Sequence, residues 1–171
     1  RVVRQTAAHR RVEVSIDTDP RIHQFQSGNG SFEWGIRVGA SLIKEFHEHG
    51  WSVTYTTDKH SPTPTAIAMG MQSTFDNLAL LQPVECNEFE KRCSSDPQSK
   101  HILRIVVTTS ERMAELEGQD GIAAGTRFVV LQTTPTNRNQ DSWLTIDCEH
   151  DIPTQLQTQW ERLCHESWSA A

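Results

Sequence analysis

Ile102-Leu103-Arg104-Ile105-Val106-Val107 and, further on, Phe128-Val129-Val130-Leu131 are almost uninterrupted apolar runs. A strand with one wet face alternates apolar and polar residues. A run that is apolar on both sides of its backbone has both faces covered, the pattern of parallel strands flanked by helices. These two runs predict the central strands of an α/β sheet. Between them, Ser110 to Glu117 predicts a short helix capped by Thr109 or Ser110, with Gly118, Gly121 and Gly125 loosening the return.

Working outward toward the N-terminus, Arg11-Val12-Glu13-Val14-Ser15-Ile16-Asp17 alternates with period two and predicts the first strand, stopped at Asp19-Pro20 because proline lacks the ladder donor. Phe32, Ile36, Gly39, Ala40, Ile43 and Phe46 recur at helical spacing up to Gly50, where a glycine can take the left-handed conformation that ends a helix. Trp51, Val53 and Tyr55 alternate with Ser52, Thr54 and Thr56 as a second strand. A loop with Pro62 and Pro64 follows, then Thr65-Ala66-Ile67-Ala68 as a short edge strand. A helix with Met71, Phe75, Leu78 and Ala79 on one face is closed by Pro83; Asn87 to Cys93 suggests a short helix and Ser94 to Lys100 a surface loop. Toward the C-terminus, Thr133 to Ser142 reads as a polar loop and Trp143 to Asp147 as the last strand. Leu156, Trp160, Leu163, Cys164 and Ser167 line one face of a final helix begun near Pro153. Strands alternating with helices imply right-handed parallel crossovers and a three-layer α/β fold. Ligands of such sheets sit beyond the carboxyl ends of the strands, where strand order reverses, so the loops after Asp17 and after Thr108 are the candidate sites.

Composition bounds the rest. The 171 residues fit one globular domain, with residues 1–10 as a polar lead-in and 11–171 as the domain; a chain of this size buries about 70% of its unfolded surface without staples. Lys and Arg total 16 against 22 acidic residues, and no basic run exceeds Arg10-Arg11, which argues against nucleic acid as a partner. No apolar stretch approaches the roughly 20 residues of a membrane span. The opening Arg1-Val2-Val3-Arg4, without Met or signal-peptide pattern, reads as an excised fragment. Cys86, Cys93, Cys148 and Cys164 lack zinc spacing and read as reduced thiols, and Asn29-Gly30-Ser31 carries no weight as a glycosylation signal.

Beyond these patterns, Val2-Val3-Arg4, Arg11 through Pro20, Phe32-Glu33-Trp34, Ala40-Ser41-Leu42, Gly50-Trp51-Ser52-Val53, Asp76-Asn77-Leu78-Ala79-Leu80-Leu81 and Val106-Val107-Thr108-Thr109 occur in an order and spacing that resembles the bacterial domain-of-unknown-function family fifty-eight. That family is similar to the von Willebrand factor A domain. The resemblance implies a Rossmann-like sheet ordered edge strand, second, first, then the three later strands. It also implies two membrane-spanning helices ahead of this piece, hence a cytoplasmic domain of an inner-membrane protein, and association with a MoxR-type AAA+ ATPase.

Metal-binding von Willebrand A domains use D-x-S-x-S after the first strand, a later Thr and a later Asp, because hard cations want several converging oxygens. Here the motif is Asp17-Thr18-Asp19-Pro20-Arg21. Asp19 replaces the first Ser, Arg21 sets a permanent cation where the second hydroxyl belongs, and the late-Asp position falls on Thr108, Thr109 or Ser110. The preferred reading has no metal, with Asp17 and Asp19 accepting local hydrogen bonds and Arg21 pairing with one of them.

No other constellation carries chemistry. Gly28-Asn29-Gly30-Ser31-Phe32-Glu33 imitates part of a dinucleotide loop but lacks the last glycine and stands too far from Asp17. Adjacent Cys164 and His165 point about 100° apart on a helix, and His47 and His49 flank Glu48 on a solvated face. Trp34, Trp143 and Trp168 are candidate anchors, with Trp143 better read as core and Trp168 as exposed. The expectation is a non-enzymatic interaction module without cofactor or catalytic set, binding a protein partner through Asp17, Asp19, Arg21, Thr109 and Ser110. The alternative is a metal-dependent phosphoester hydrolase using Asp17 and Asp19.

Overall fold

A computed structural model describes residues 11–25, 30–57, 60–64, 70–85, 102–116, 126–133 and 142–168. Along them run β1 (Arg11–Ile16), α1 (Ser31–Glu48), β2 (Ser52–Thr57), β3 (His60–Pro64), α2 (Gly70–Ala79), β4 (Ile102–Thr109), α3 (Ser110–Leu116), β5 (Thr126–Gln132), β6 (Leu144–Asp147) and α4 (Ile152–Trp168). The strands form one sheet in the order β3-β2-β1-β4-β5-β6. β1, β2, β4, β5 and β6 are mutually parallel and β3 runs antiparallel against β2. Parallel neighbours cannot be joined by a tight hairpin and need a crossover, which is the physical origin of the strand–helix alternation in the sequence.

The unbroken apolar runs have the expected cause. Ile105, Val107, Val129 and Leu131 point into a core with Val38, Leu42, Ile43 and Phe46 of α1. Their chain neighbours Val106, Phe128 and Val130 point the other way, onto Met113 and Leu116 of α3. With a core on each face, the molecule is a three-layer α/β fold of Rossmann-like build.

Helix α1 lies close to the central sheet because Gly39 faces Ile16: a Cβ at Gly39 would stand 2.5 Å from Ile16 Cδ1 and 2.9 Å from its Cγ1. The helix ends as its sequence requires. Gly50 takes φ +77°, and the backbone N–H groups of Gly50 and Trp51 donate to the carbonyls of His47 and Phe46. Trp51 packs edge-on to Phe46, which also meets Trp160 of α4, and Trp160 meets Trp143. Trp34 and Trp143 are thus half-buried against the core, Trp34 lying under the Arg37 guanidinium, while His47 and His49 are exposed.

One assignment is corrected. The Pro62–Pro64 segment, expected as a loop, is the edge strand β3, paired Thr54 with Pro64 and Tyr55 with Thr63. Prolines two apart present the same side of an edge strand, the side that needs no donor, so the pair that argues against a central strand is compatible with an edge. Thr65 to Ala68, expected as that edge, lie outside the described residues. So do the N-terminal lead-in, Gly28-Asn29, the Asn87–Cys93 helix and the Ser94–Lys100 loop, and also the side chains of Cys164, His165 and Trp168.

The opposite edge is closed by side chains. Gln159 accepts from the Thr145 N–H at 3.3 Å and donates to the Thr145 carbonyl at 2.6 Å. Gln155 does the same at Asp147, at 3.0 and 2.9 Å. One turn apart on α4, the two amides stand in for the next strand of the ladder.

Candidate functional site

Strand order reverses between β1 and β4: α1 leaves β1 for one face of the sheet and α3 leaves β4 for the other. Such a fork opens a crevice at the carboxyl ends of the two strands. Asp17 and Asp19 enter it from the β1 side, and Thr108 and the first turn of α3 from the β4 side.

The Asp17 N–H donates to the Val107 carbonyl at 3.0 Å, prolonging the β1–β4 ladder by one residue. Its side chain is then fixed from three directions. Oδ1 accepts the Asp19 N–H at 3.2 Å, a local turn of the kind Asp favours. Oδ2 accepts the Thr108 hydroxyl at 2.8 Å and Arg112 Nε at 3.1 Å. Asp19 is held harder still: Oδ1 accepts the Arg21 N–H at 3.0 Å and Arg21 Nε at 2.9 Å, and Oδ2 accepts Arg112 Nη2 at 2.7 Å as well as the Arg21 fork. The third arm of Arg112, Nη1, donates to Glu115 Oε2 at 2.6 Å.

Burial makes these contacts strong. The Asp17 and Asp19 side chains are 0% exposed and that of Arg112 is 7% exposed, whereas Arg21 and Glu115 reach solvent at 52% and 54%. Burial itself works against ionising Asp19, but hydrogen bonds from the Arg21 side chain and backbone, then from Arg112, outweigh it and hold the carboxyl well below the usual carboxylate range. Burial likewise works against the charge on Arg112, and the Asp17 charge and the hydrogen bonds that Arg112 donates to both aspartates overcome it and raise its pKa.

Around this ion network the loops are pinned. The Thr18 carbonyl accepts the Val84 N–H at 2.9 Å, bringing the segment after α2 to the same edge. His23, buried, sits between the Asp17 carbonyl, 2.8 Å from Nε2, and the Ser31 hydroxyl, 3.2 Å from Nδ1. A carbonyl can only accept, so Nε2 carries the proton, and in the neutral ring Nδ1 accepts from Ser31. Ser31 in turn accepts the Gln24 N–H at 2.9 Å. Phe32 packs against both His23 and Phe25, and Phe25 is 55% exposed.

Of the residues singled out from sequence, Asp17, Asp19 and Arg21 meet as expected. Thr109 ends β4 and Ser110 begins α3 beside them, where Thr109 Oγ1 accepts the Arg112 N–H at 3.4 Å and the Ser110 hydroxyl donates to Glu111 at 3.2 Å. Thr108 supplies the hydroxyl on Asp17. Sequence reasoning does not reach Arg112 or His23. Arg112 does leave one signal: it is a cation in the first turn of a helix, where the dipole favours acids, so its placement asks for compensating carboxylates nearby.

The arrangement does not fit a divalent cation. The Oδ2 atoms of both aspartates point at one guanidinium, Asp19 is also forked by a second, and a metal would have to share that space with two positive charges. Among the described residues no group of three or more His, Cys, Asp or Glu is placed to hold a metal. Nor is Cys148 an activated thiol: burial, followed by the charges of Asp147 and Glu111, pushes its pKa up to about 11. Among the described residues no helix is long and apolar enough to cross a membrane. No protein-family model matches the chain, and no curated protein matches it.

Proposed function

We propose that this chain is a non-enzymatic protein-interaction module of von Willebrand factor A-like build, the cytoplasmic domain of a membrane-anchored protein, which works with a MoxR-type AAA+ ATPase. The sheet order supports the build: an edge strand, then the second, first and three later strands, is what the family resemblance implies. One observation carries the functional reading. The carboxylates that would serve a metal or an acid–base role, Asp17 and Asp19, are buried and neutralised by Arg112 and Arg21, which suits this edge to contact better than to turnover. Arg21 and Phe25, half exposed on the loop after β1, supply the cation and aromatic surface that dominate protein contacts.

The test is binding of the purified chain to the ATPase with and without a chelator. Binding that is insensitive to chelation, and weakened about tenfold or more by Arg21→Glu combined with Phe25→Ala, is expected. No binding by the intact chain overturns the reading. The hydrolase alternative needs carboxylates free to hold a metal; a phosphoester screen with Mg²⁺ and Mn²⁺ is expected to give no turnover above the blank.

A further inference from the structure

Two carboxylates with no exposed surface are costly unless a cation accompanies them into the interior. Here the chain carries that cation on its own helix. Arg112 reaches Asp17 through Nε, Asp19 through Nη2 and Glu115 through Nη1, at 3.1, 2.7 and 2.6 Å. Every arm of one guanidinium ends on a different carboxylate. Nε and Nη2 lie on the same edge of the group, so the Asp17 and Asp19 Oδ2 atoms that meet them stand side by side along one edge of a single guanidinium. The Thr108 hydroxyl, 2.8 Å from Asp17 Oδ2, adds a neutral oxygen beside it. Remove the guanidinium and what remains is a buried, oxygen-lined pocket with an uncompensated negative charge, the environment that a hard divalent ion prefers.

We propose that Arg112 is a tethered counter-cation occupying the position of a divalent ion between Asp17 and Asp19, so that shortening its side chain converts the pocket into a Mn²⁺ or Mg²⁺ site. Charge balance sets the grading. In the wild type the two fully buried carboxylates, Asp17 and Asp19, are balanced by Arg21 and Arg112, while the third, Glu115, is 54% exposed and screened by solvent. Loss of Arg112 leaves one net negative charge among the remaining three, and loss of both arginines leaves two, which a divalent ion neutralises. Affinity for the ion therefore rises from wild type to Arg112→Ser to the Arg21→Ser/Arg112→Ser double variant. Arg112→Lys keeps the charge and stays unresponsive. The inference stands whether or not the domain binds an ATPase, since its readout is the isolated chain and a metal ion.

Thermal unfolding in MnCl₂ and in chelator, with the fraction of bound Mn²⁺ read by electron paramagnetic resonance, tests this. The wild type and Arg112→Lys are expected to melt at the same temperature in both media. Arg112→Ser is expected to gain about 5 °C or more at a Mn²⁺ concentration one hundred times its dissociation constant, the double variant to reach that gain at lower Mn²⁺, and Asp17→Asn in the Arg112→Ser background to abolish it. If Arg112→Ser is recovered only as aggregate, refolding from denaturant decides between the outcomes: recovery in Mn²⁺ but not in chelator supports the proposal, and equal recovery overturns it. A soluble Arg112→Ser variant that neither binds Mn²⁺ nor gains stability overturns it too, as does a gain that survives Asp17→Asn.

Discussion

Arg112 Nε lies 3.1 Å from Asp17 Oδ2 across 95 residues of sequence, and this contact joins the two halves of the sheet at their carboxyl edge. β1 and β4 are already paired through six residues of register, so the ion pair adds little to which strands meet. What it fixes is the direction of α3, whose first turn is drawn toward the β1 loop although the helix dipole disfavours a cation there.

Thr108 shares Asp17 Oδ2 with that guanidinium and is fully buried in β4. Thr108→Val keeps the shape and removes the donor, leaving a buried carboxylate oxygen with one partner fewer. A loss of about 2 kcal/mol is expected, the range for a hydrogen bond to a charged group. Urea unfolding checks it, and an unchanged midpoint would mean that water replaces the hydroxyl.

Acid should dismantle the network through Asp19. Its carboxyl is held below its ordinary value of 3.8 in the folded chain, so between the folded and unfolded values the unfolded state binds the extra proton. Stability from this group is therefore complete above about pH 5 and is lost as pH falls through 3.8 toward the folded value. Asp19→Asn is expected to cost about 3 kcal/mol near neutrality, with the gap to wild type narrowing as the pH drops below about 4. Denaturant midpoints measured from pH 7 to pH 2.5 would reveal the convergence, and a constant gap would contradict it.

Gly39 marks the closest approach of α1 to the sheet. Alanine favours a helix by about 1 kcal/mol over glycine, yet a Cβ there would stand 2.5 Å from Ile16 Cδ1, so the Ile16 side chain, buried in the packed core, would have to shift. Gly39→Ala is expected to lose about 1–3 kcal/mol net from overpacking, and Ile16→Val in the same chain to recover part of it. Stabilisation by Gly39→Ala would show that the helix can retreat.

The sheet was legible because its physics is periodic. Ile105 to Val107 are apolar without a break and both faces of that strand are covered, whereas Val12, Val14 and Ile16 alternate with polar residues although Ser15 between them is buried as well. β3 was not legible, since Pro62 and Pro64 are turn residues locally and become strand residues only where an edge needs no donor. Asp17, Asp19 and Arg21 could be found because they lie within five residues of one another. Arg112 could not be joined to them from sequence, because a long-range ion pair leaves no spacing to read; only its placement against the helix dipole hinted at it.

The glutamines of α4 offer a last test, of how the sheet ends. β6 would present the outward N–H and C=O groups of Thr145 and Asp147 as a template for another chain, and Gln159 and Gln155 occupy all four. Each amide makes two bonds worth about 1 kcal/mol each, discounted for the half-exposed setting. Gln155→Ala with Gln159→Ala is expected to cost about 2 kcal/mol and to produce concentration-dependent association in light scattering. Gln157, exposed on the same helix and bonded to Glu161, is the control, its alanine variant changing stability by less than about 0.5 kcal/mol. Association by the control as well would trace the effect to the helix surface, whereas association by the double variant alone would trace it to the uncovered strand.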